Sequence, residues 1–413
     1  MRQKRIAMIS FHTCPLASDE GKTTGGMNIY ILELSKALAK QGYDVDMYTR
    51  NEHPDNEEII EVIPHLRLIH LRSGPQKQID KKKLRDLIPT FVEQFHLFTK
   101  KHELNYDILH CHYYLSGLIG LDINKSLLHP IPIIMSFHTL ALMKNLVARE
   151  EQEKENTDRI EAEKILMSQV HKIISPSKYE KEYITYLYEA NPKKISVIAP
   201  GVDTSHFHPL DKDEAIQRVH KSPDERLLLF VGRIEPLKSI DMIFYALKIV
   251  VQKNPDLKLK LWIVGGNANQ QEEEWSKQLK ALAQLRDTLQ LTNFINFIGQ
   301  LHQKELPLYY NASDIVLMPS HYESFGIVGL EAMACGIPVI TTNVTGVSNI
   351  ITNNRSSLIT SVNNPLLLSK QIETLLSNKE LYSQTSRELI KNAQKLDWAI
   401  IVKEFISLYK SVS

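Results

Sequence analysis

The feature that most constrains this chain is an alternation of short β-branched apolar runs with segments of helical periodicity, and the alternation occurs twice. In the first half, Ile6 to Ser10, Asp44 to Tyr48, Leu66 to Leu71, Tyr106 to His110, Ile133 to Phe137 and Lys172 to Ser175 read as strands. Met27, Tyr30, Ile31, Leu34 and Leu38 recur at helical spacing and form one apolar face that ends near Gly42. Lys81 to His102 and Arg149 to Val170 read as further helices. Strands separated by helices pair in parallel, because a parallel neighbour needs a crossover and the crossover buries its apolar face on the sheet. The segment IAPGVDTSHFHP (198–209) then breaks the pattern with Pro and Gly. It restarts with a strand at Arg226 to Val231 and a helix carrying Ile240, Ile243, Phe244, Leu247 and Val250. Strands follow at Lys260 to Val264, Ile295 to Ile298, Asp314 to Met318 and Pro338 to Thr342. The fold class is therefore α/β, with two doubly wound domains. The final segment puts Trp398, Val402, Phe405 and Tyr409 on one helical face, which needs a partner surface on either domain.

Composition narrows the function. A length of 413 residues suits two to three domains. Lys and Arg total 49 against 48 Asp and Glu, a net charge of +1, which excludes a broad basic face for nucleic acid or an anionic membrane. The 3 cysteines, Cys14, Cys111 and Cys335, exclude a disulfide framework and a CxxC site. The apolar stretch after MRQKR ends at His12, short of a secretory signal, and no uncharged run approaches the ~18 residues of a membrane span. The expectation is a cytoplasmic protein without a transmembrane segment, for which a homodimer is compatible.

In open α/β sheets ligands bind beyond the carboxyl ends of the strands. Gly25-Gly26 precede a helix there, where amides and missing side chains suit a phosphate, although neither GxGxxG nor a P-loop is present. VGRIEPLKS (231–239) places Arg233 and Lys238 between a strand and a helix, two cations fit for a diphosphate. ESFGIVGLE (323–331) carries Glu323 ahead of a helix that starts at Gly326, and Glu331 within it among Val328, Leu330 and Met333. So apolar a setting argues against a solvated Glu331, and a buried carboxylate accepts hydrogen bonds from vicinal hydroxyls. The HxH of His110 and His112 lacks a third metal ligand nearby, so these read as hydrogen-bonded histidines. The DVD at 44–46 lies inside a strand pattern and is discounted as a metal motif. No GxSxG elbow is present.

These motifs resemble those of the retaining, metal-independent glycosyltransferases of the GT-B fold, glycosyl transferases group 1, family four. That group contains sucrose-phosphate synthases and the mycothiol-pathway inositol-phosphate glycosyltransferase. The similarity runs through GGMNIYILELSKAL (25–38), HCHYYLSG (110–117), HTLALMKN (138–145), PGVD (200–203), VGRIEPLKS (231–239) and PSHYESFGIVGLEAMACGIPVI (319–340). The resemblance implies two Rossmann-like domains facing across a cleft, an acceptor-binding one at 1–203 and a nucleotide-sugar-binding one at 204–394, with a helix at 395–413 crossing back to the first.

It further implies that Glu331 binds the ribose, that Glu323 binds hydroxyls of the donor sugar, and that Arg233 and Lys238 hold the diphosphate. Gly25, Gly26, Phe325 and Gly326 assist through the backbone, and His138 contacts the donor sugar near its C6 hydroxyl and the reacting centre. The catalytic set implied is His138, Arg233, Lys238 and Glu323. An acceptor phosphate is met, by the same resemblance, by Lys81, Tyr113, Thr139 and Arg159. The implied partners are a nucleotide-sugar, UDP-linked, and a small phosphorylated polyol or sugar such as inositol phosphate, with no cofactor and no essential metal. Transfer to a hexose phosphate is the same-fold alternative. A UDP-sugar 2-epimerase and a silent sugar-nucleotide binding module are the alternatives of other classes. VTGV (344–347) and NRSSLI (354–359) depart from the family pattern, which leaves the donor sugar open.

Overall fold

The computed structural model describes residues 4–16, 25–324, 326–343, 346, 348 and 358–412. Phe325 and most of the two departing loops lie outside the described residues. The chain forms two compact units. One gathers Met27–Pro200 with the N-terminal strand and the C-terminal helix Trp398–Lys410; the other gathers Gly201–Asp397 with Gly25 and Gly26.

The first unit is built on an 8-stranded sheet of β1 (Arg5–Ile9), β2 (Asp44–Arg50), β3 (Ile59–Ile63), β4 (Leu66–Leu71), β5 (Ile108–His112), β6 (Ile133–Ser136), β7 (Lys172–Ser175) and β8 (Ile195–Val197), in the order β3-β4-β2-β1-β5-β6-β7-β8. All pairings are parallel except β3 with β4. The second carries a 6-stranded parallel sheet of β9 (Arg226–Val231), β10 (Leu259–Val264), β11 (Ile295–Gly299), β12 (Ile315–Met318), β13 (Val339–Thr342) and β14 (Ile359–Thr360), in the order β11-β10-β9-β12-β13-β14. Its core is made of the strands' near-continuous apolar runs, such as Leu227 to Phe230, against helix Ile240–Lys253. A sheet covered on both faces produces such runs.

The structure corrects several element boundaries. β5 begins and ends two residues later than the pattern predicts, because Cys111 and His112 continue the ladder with Met135 and Ser136 of β6 rather than starting a loop. The helix predicted from Lys81 is a 3₁₀ turn, Lys81–Leu87, until Pro89 opens the α-helix Ile88–Lys101 in the first turn, where its missing N–H is not needed. Helix Thr157–Gln169 starts later than Arg149, because the Asn156 side chain caps it by accepting from the Arg159 N–H. Strands β3, β8 and β14 escaped the pattern: two have at most three residues, and β3 is an antiparallel edge strand.

The face Trp398, Val402, Phe405 and Tyr409 is buried in the first unit, where Trp398 meets Tyr30 edge-on at 5.5 Å. The two aspartates of DVD are structural. Asp46 accepts from Arg67 Nε at 2.7 Å, from Arg67 Nη2 at 2.9 Å and from Tyr106 Oη at 2.7 Å. Asp44 pairs with Arg5 and His65 across the same end of the sheet. Asp46→Ala leaves the buried Tyr106 hydroxyl without this acceptor and should destabilise the protein by about 1–3 kcal/mol. Calorimetry should show the lowered Tm, with the activity of the folded fraction unaltered.

Candidate active site

Two neighbouring strands of the first unit deliver the same kind of residue. β5 ends at His112 and is followed by Tyr113 at φ 74°; β6 ends at Ser136, and His138 lies at φ 62°. A left-handed backbone at non-glycine residues is strained by about 1–3 kcal/mol, and such strain gathers at functional sites. His138 is buried, with Nε2 2.9 Å from Nδ1 of His112. His110 is held between Tyr409 Oη at 2.8 Å and Ser136 Oγ at 3.0 Å. Burial pushes His110 down to about 3 and holds His112 and His138 well below the usual histidine range. All three rings are uncharged at neutral pH. The bonds of His110 and His112 thus go to neighbouring side chains. Among the described residues no group of three His, Cys, Asp or Glu is placed to hold a metal ion.

Beside them the fold brings together Tyr113, Thr139 and Arg159. Arg159 is 3% exposed. Its Nη2 donates to the Thr139 carbonyl at 2.7 Å and to Thr139 Oγ1 at 3.1 Å, its Nε to Glu163 at 2.8 Å, and its Nη1 lies 2.9 Å from Glu155. The guanidinium also stacks over the Tyr113 ring at 4.8 Å, a cation–π contact. Burial opposes its charge, but Tyr113, Glu163 and Glu155 outweigh that and raise its pKa further. Glu163, fully buried, also accepts from the Ala141 N–H at 2.9 Å and from the Tyr188 hydroxyl. Burial nevertheless raises the Glu163 carboxyl. For Glu155, Arg159 and Lys144 override burial and lower it. No motif in the sequence assigns a role to Glu163, Glu155, Lys144 or Tyr188. Arg159 and Glu163 are spaced i, i+4, but the charge run they sit in reads as a solvated helix face until burial is known. Lys81 is exposed at the start of the turn Lys81–Leu87.

In the second unit, β9 runs into Gly232, Arg233 and the turn Pro236–Lys238. Here Gly265 has φ 130°, and a Cβ on it would stand 1.9 Å from the Gly232 carbonyl oxygen, so only glycine lets the ends of β9 and β10 come this close. A Cβ on Gly25 would lie 4.0 Å from Arg233 Nε. Lys238 is ion-paired to Glu323, both mostly buried, and Arg233 Nη1 lies 2.6 Å from Glu235. Gly326, at φ 64°, caps helix Ile327–Ala334, which carries Glu331 into the interior. Glu331 accepts from Tyr310 Oη at 2.7 Å and from Gln303 Nε2 at 3.2 Å. Burial pushes its carboxyl up to about 7 against these two bonds. Tyr310 and Gln303 carry no sequence signal, since neither belongs to a motif with Glu331.

Chemically, the second unit presents two cations beside two carboxylates at a strand end, and the first presents a buried guanidinium beside neutral histidines. The sequence profile of the glycosyl transferases group 1 family matches residues 211–396, and that of glycosyltransferase family 4 matches residues 24–206. The chain is 30% identical over 413 residues to a D-inositol 3-phosphate glycosyltransferase of Corynebacterium efficiens, covering 99% of this chain and 96% of that protein. It is 31% identical over 409 residues to the protein of the same name in Corynebacterium glutamicum, covering 98% and 96%. Among solved structures, a sucrose-phosphate synthase from Thermosynechococcus elongatus superposes with a TM-score of 0.88 at 29% identity, covering 99% of each chain.

Glu163→Ala removes one carboxylate from a buried guanidinium and should destabilise the protein by about 3–5 kcal/mol. Glu163→Gln keeps an acceptor for Tyr188 and should lose less. Thermal unfolding of the two variants beside wild type checks the order.

Proposed function

The chain belongs to the glycosyl transferases group 1 family and has the GT-B fold, and from that premise we propose that this glycosyltransferase moves a sugar from a UDP-linked donor to a small phosphorylated polyol such as inositol phosphate, with retention of anomeric configuration. The observation that carries the acceptor reading is the gathering of Tyr113, Thr139 and Arg159 at one place, from positions far apart in the chain. Thr139 Oγ1 accepts from Arg159, which leaves its hydrogen to donate to a phosphate oxygen. The partly buried Glu155 pairs with both Arg159 and Lys144, and an arriving phosphate would compete for the same two cations. The name of the relatives, D-inositol 3-phosphate glycosyltransferase, supports this acceptor class. The sucrose-phosphate synthase likeness supports a hexose phosphate as the second reading.

On the donor side, Glu331 receives the ribose hydroxyls, while Arg233 and Lys238 take the diphosphate. Breaking the bond between the anomeric carbon and the leaving oxygen releases a nucleoside diphosphate, and the charge that develops there meets two cations already in place. Such fixed charges lower the barrier without a general acid. Glu323, ion-paired to Lys238, would accept sugar hydroxyls, so diphosphate and sugar would address the two halves of one ion pair. The acceptor hydroxyl attacks from the leaving-group face: its oxygen bonds to the anomeric carbon as the bond to the leaving oxygen breaks, its proton passes to the departing diphosphate oxygen, and the anomeric configuration is retained. Positive charge at the leaving group comes from these side chains in this scheme, and no metal ion is assigned a role.

The deciding experiment offers UDP-, GDP- and ADP-linked sugars against inositol phosphate, hexose phosphates and no acceptor. It reads nucleoside diphosphate release and the anomeric configuration of the product by NMR. Release without acceptor, together with an epimerised sugar, would overturn transfer in favour of epimerisation. Lys238→Ala should lower kcat by about 10²–10³ with a smaller change in donor KM, as for loss of a group that stabilises charge in the transition state. Thr139→Val should raise the acceptor KM about fivefold, the worth of roughly one hydrogen bond, and leave the donor KM alone. It tests the phosphate site more cleanly than removal of Arg159, which would unpair two carboxylates.

Glu331 adds a pH dependence. Its carboxyl is raised to about 7 by burial, and ribose hydroxyls donate to the ionised form. Nucleotide binding must therefore expel a proton below that pH. UDP affinity should be level above pH 7 and fall as the pH drops below it, with proton release measured by calorimetry in buffers of different ionisation enthalpy. Glu331→Gln should bind weakly and show neither effect.

A further inference from the structure

The hydrogen-bond order around His112 dictates which ring nitrogen of His138 carries a proton. His112, the last residue of β5, is fully buried, and its Nε2 lies 3.5 Å from the Met8 sulfur. A thioether accepts a hydrogen bond but has no hydrogen to give, so the hydrogen in this contact belongs to Nε2 of His112. Burial, together with the neighbouring His110 and His138, keeps the His112 ring neutral. With its single hydrogen on Nε2, Nδ1 of His112 is a bare lone pair. That lone pair faces Nε2 of His138 at 2.9 Å, and a hydrogen bond between them requires His138 to be the donor. His138 is neutral as well, so its own Nδ1 is unprotonated. The opposite order would set the lone pair of His112 Nε2 against the lone pairs of the sulfur.

The rings are held in this order by their neighbours. His110 is anchored by Tyr409 on the C-terminal helix and by Ser136 on β6, and its ring stacks on that of His112 at 4.2 Å between centroids. Tyr30 closes on His138 edge-on at 5.3 Å and is itself braced by Trp398 at 5.5 Å. The positive φ of His138 fixes the backbone from which its ring projects.

We propose that His112 is a positioning residue that locks His138 in the tautomer protonated on Nε2, so that Nδ1 of His138 serves as a hydrogen-bond acceptor for a hydroxyl of the donor sugar. The acceptor role rests on the proposed function and on the contact of His138 with that sugar that the family resemblance implies. An acceptor nitrogen suits a reaction in which positive charge grows on the sugar ring, because it turns a lone pair rather than an N–H dipole toward that charge.

Two measurements test this. In wild-type enzyme labelled with [15N]histidine, with the His138 signals assigned by their loss in His138→Gln, Nε2 of His138 should resonate as a protonated, pyrrole-type nitrogen and Nδ1 as a bare, pyridine-type one. A reversed or averaged pattern overturns the lock, whatever the kinetics. In the second, His112→Leu lacks an acceptor, whereas the side-chain carbonyl of His112→Asn takes the place of Nδ1. His112→Leu should lower kcat about tenfold with donor KM within about threefold, and His112→Asn should recover most of the loss, which a merely structural role would not produce. Equal activity in the two variants overturns the positioning role. Unchanged turnover in His138→Gln overturns the sugar-side reading of His138 on which the acceptor role depends, whatever the spectrum. Should His112→Leu fail to fold, the wild-type spectrum decides the lock.

Discussion

The guanidinium of Arg159 is almost wholly removed from water, and the arrangement of the first unit's site follows from the need to compensate its charge. A buried cation is tolerated only where carboxylates and hydrogen-bond acceptors surround it. Glu163 and Glu155 supply the carboxylates, the Thr139 carbonyl and hydroxyl supply acceptors, and the Tyr113 ring supplies a π face. Each of these is in turn held elsewhere. Glu163 is pinned by Tyr188 and by the first amide of helix Ala141–Val147, and Glu155 by Lys144. One charge thus ties the ends of β5 and β6 to the helix Thr157–Gln169 and fixes where Tyr113 and Thr139 stand.

The second unit follows the same rule with more solvent. Lys238 pairs with Glu323 and Arg233 with Glu235, so the cations proposed to hold the diphosphate rest against carboxylates. Pairing keeps long side chains in one place, and under the proposed function the binding of an anion there is an exchange of partners. Glu331 is the opposite case. Tyr310 and Gln303 donate to it as neutral partners, and burial raises its carboxyl to about 7, so its charge changes around neutral pH. The three stacked histidines also remain neutral, which makes their hydrogen-bond order, rather than their charge, the property that matters.

Much of this was legible in the sequence. The alternating strands and helices, the break near residue 200 and the apolar stripe of the last helix follow from periodicity, because burial on a sheet imposes it. The apolar surroundings of Glu331 announced a buried carboxylate. What escaped had identifiable causes. His110 and His112 look like polar residues of a strand's mouth, yet both are fully buried, because His110 finds a partner in Tyr409, some three hundred residues later, and His112 in His138. Glu163 and Glu155 look like members of a solvated charge run, and only the depth of Arg159 shows that they are counterions. Tyr310 and Gln303 reach Glu331 from separate elements with no shared spacing.

By itself, then, the sequence determined the fold class, the residue types at the strand ends and the family, since these depend on local pattern and on short motifs. Tertiary structure alone decided which charges are buried, which carboxylate answers which cation, and which histidine nitrogen is free of a hydrogen. The physical reason is that pairing and desolvation are properties of a three-dimensional neighbourhood. Residues distant in the chain become partners only when the sheets bring them together, and no spacing along the chain records that they will.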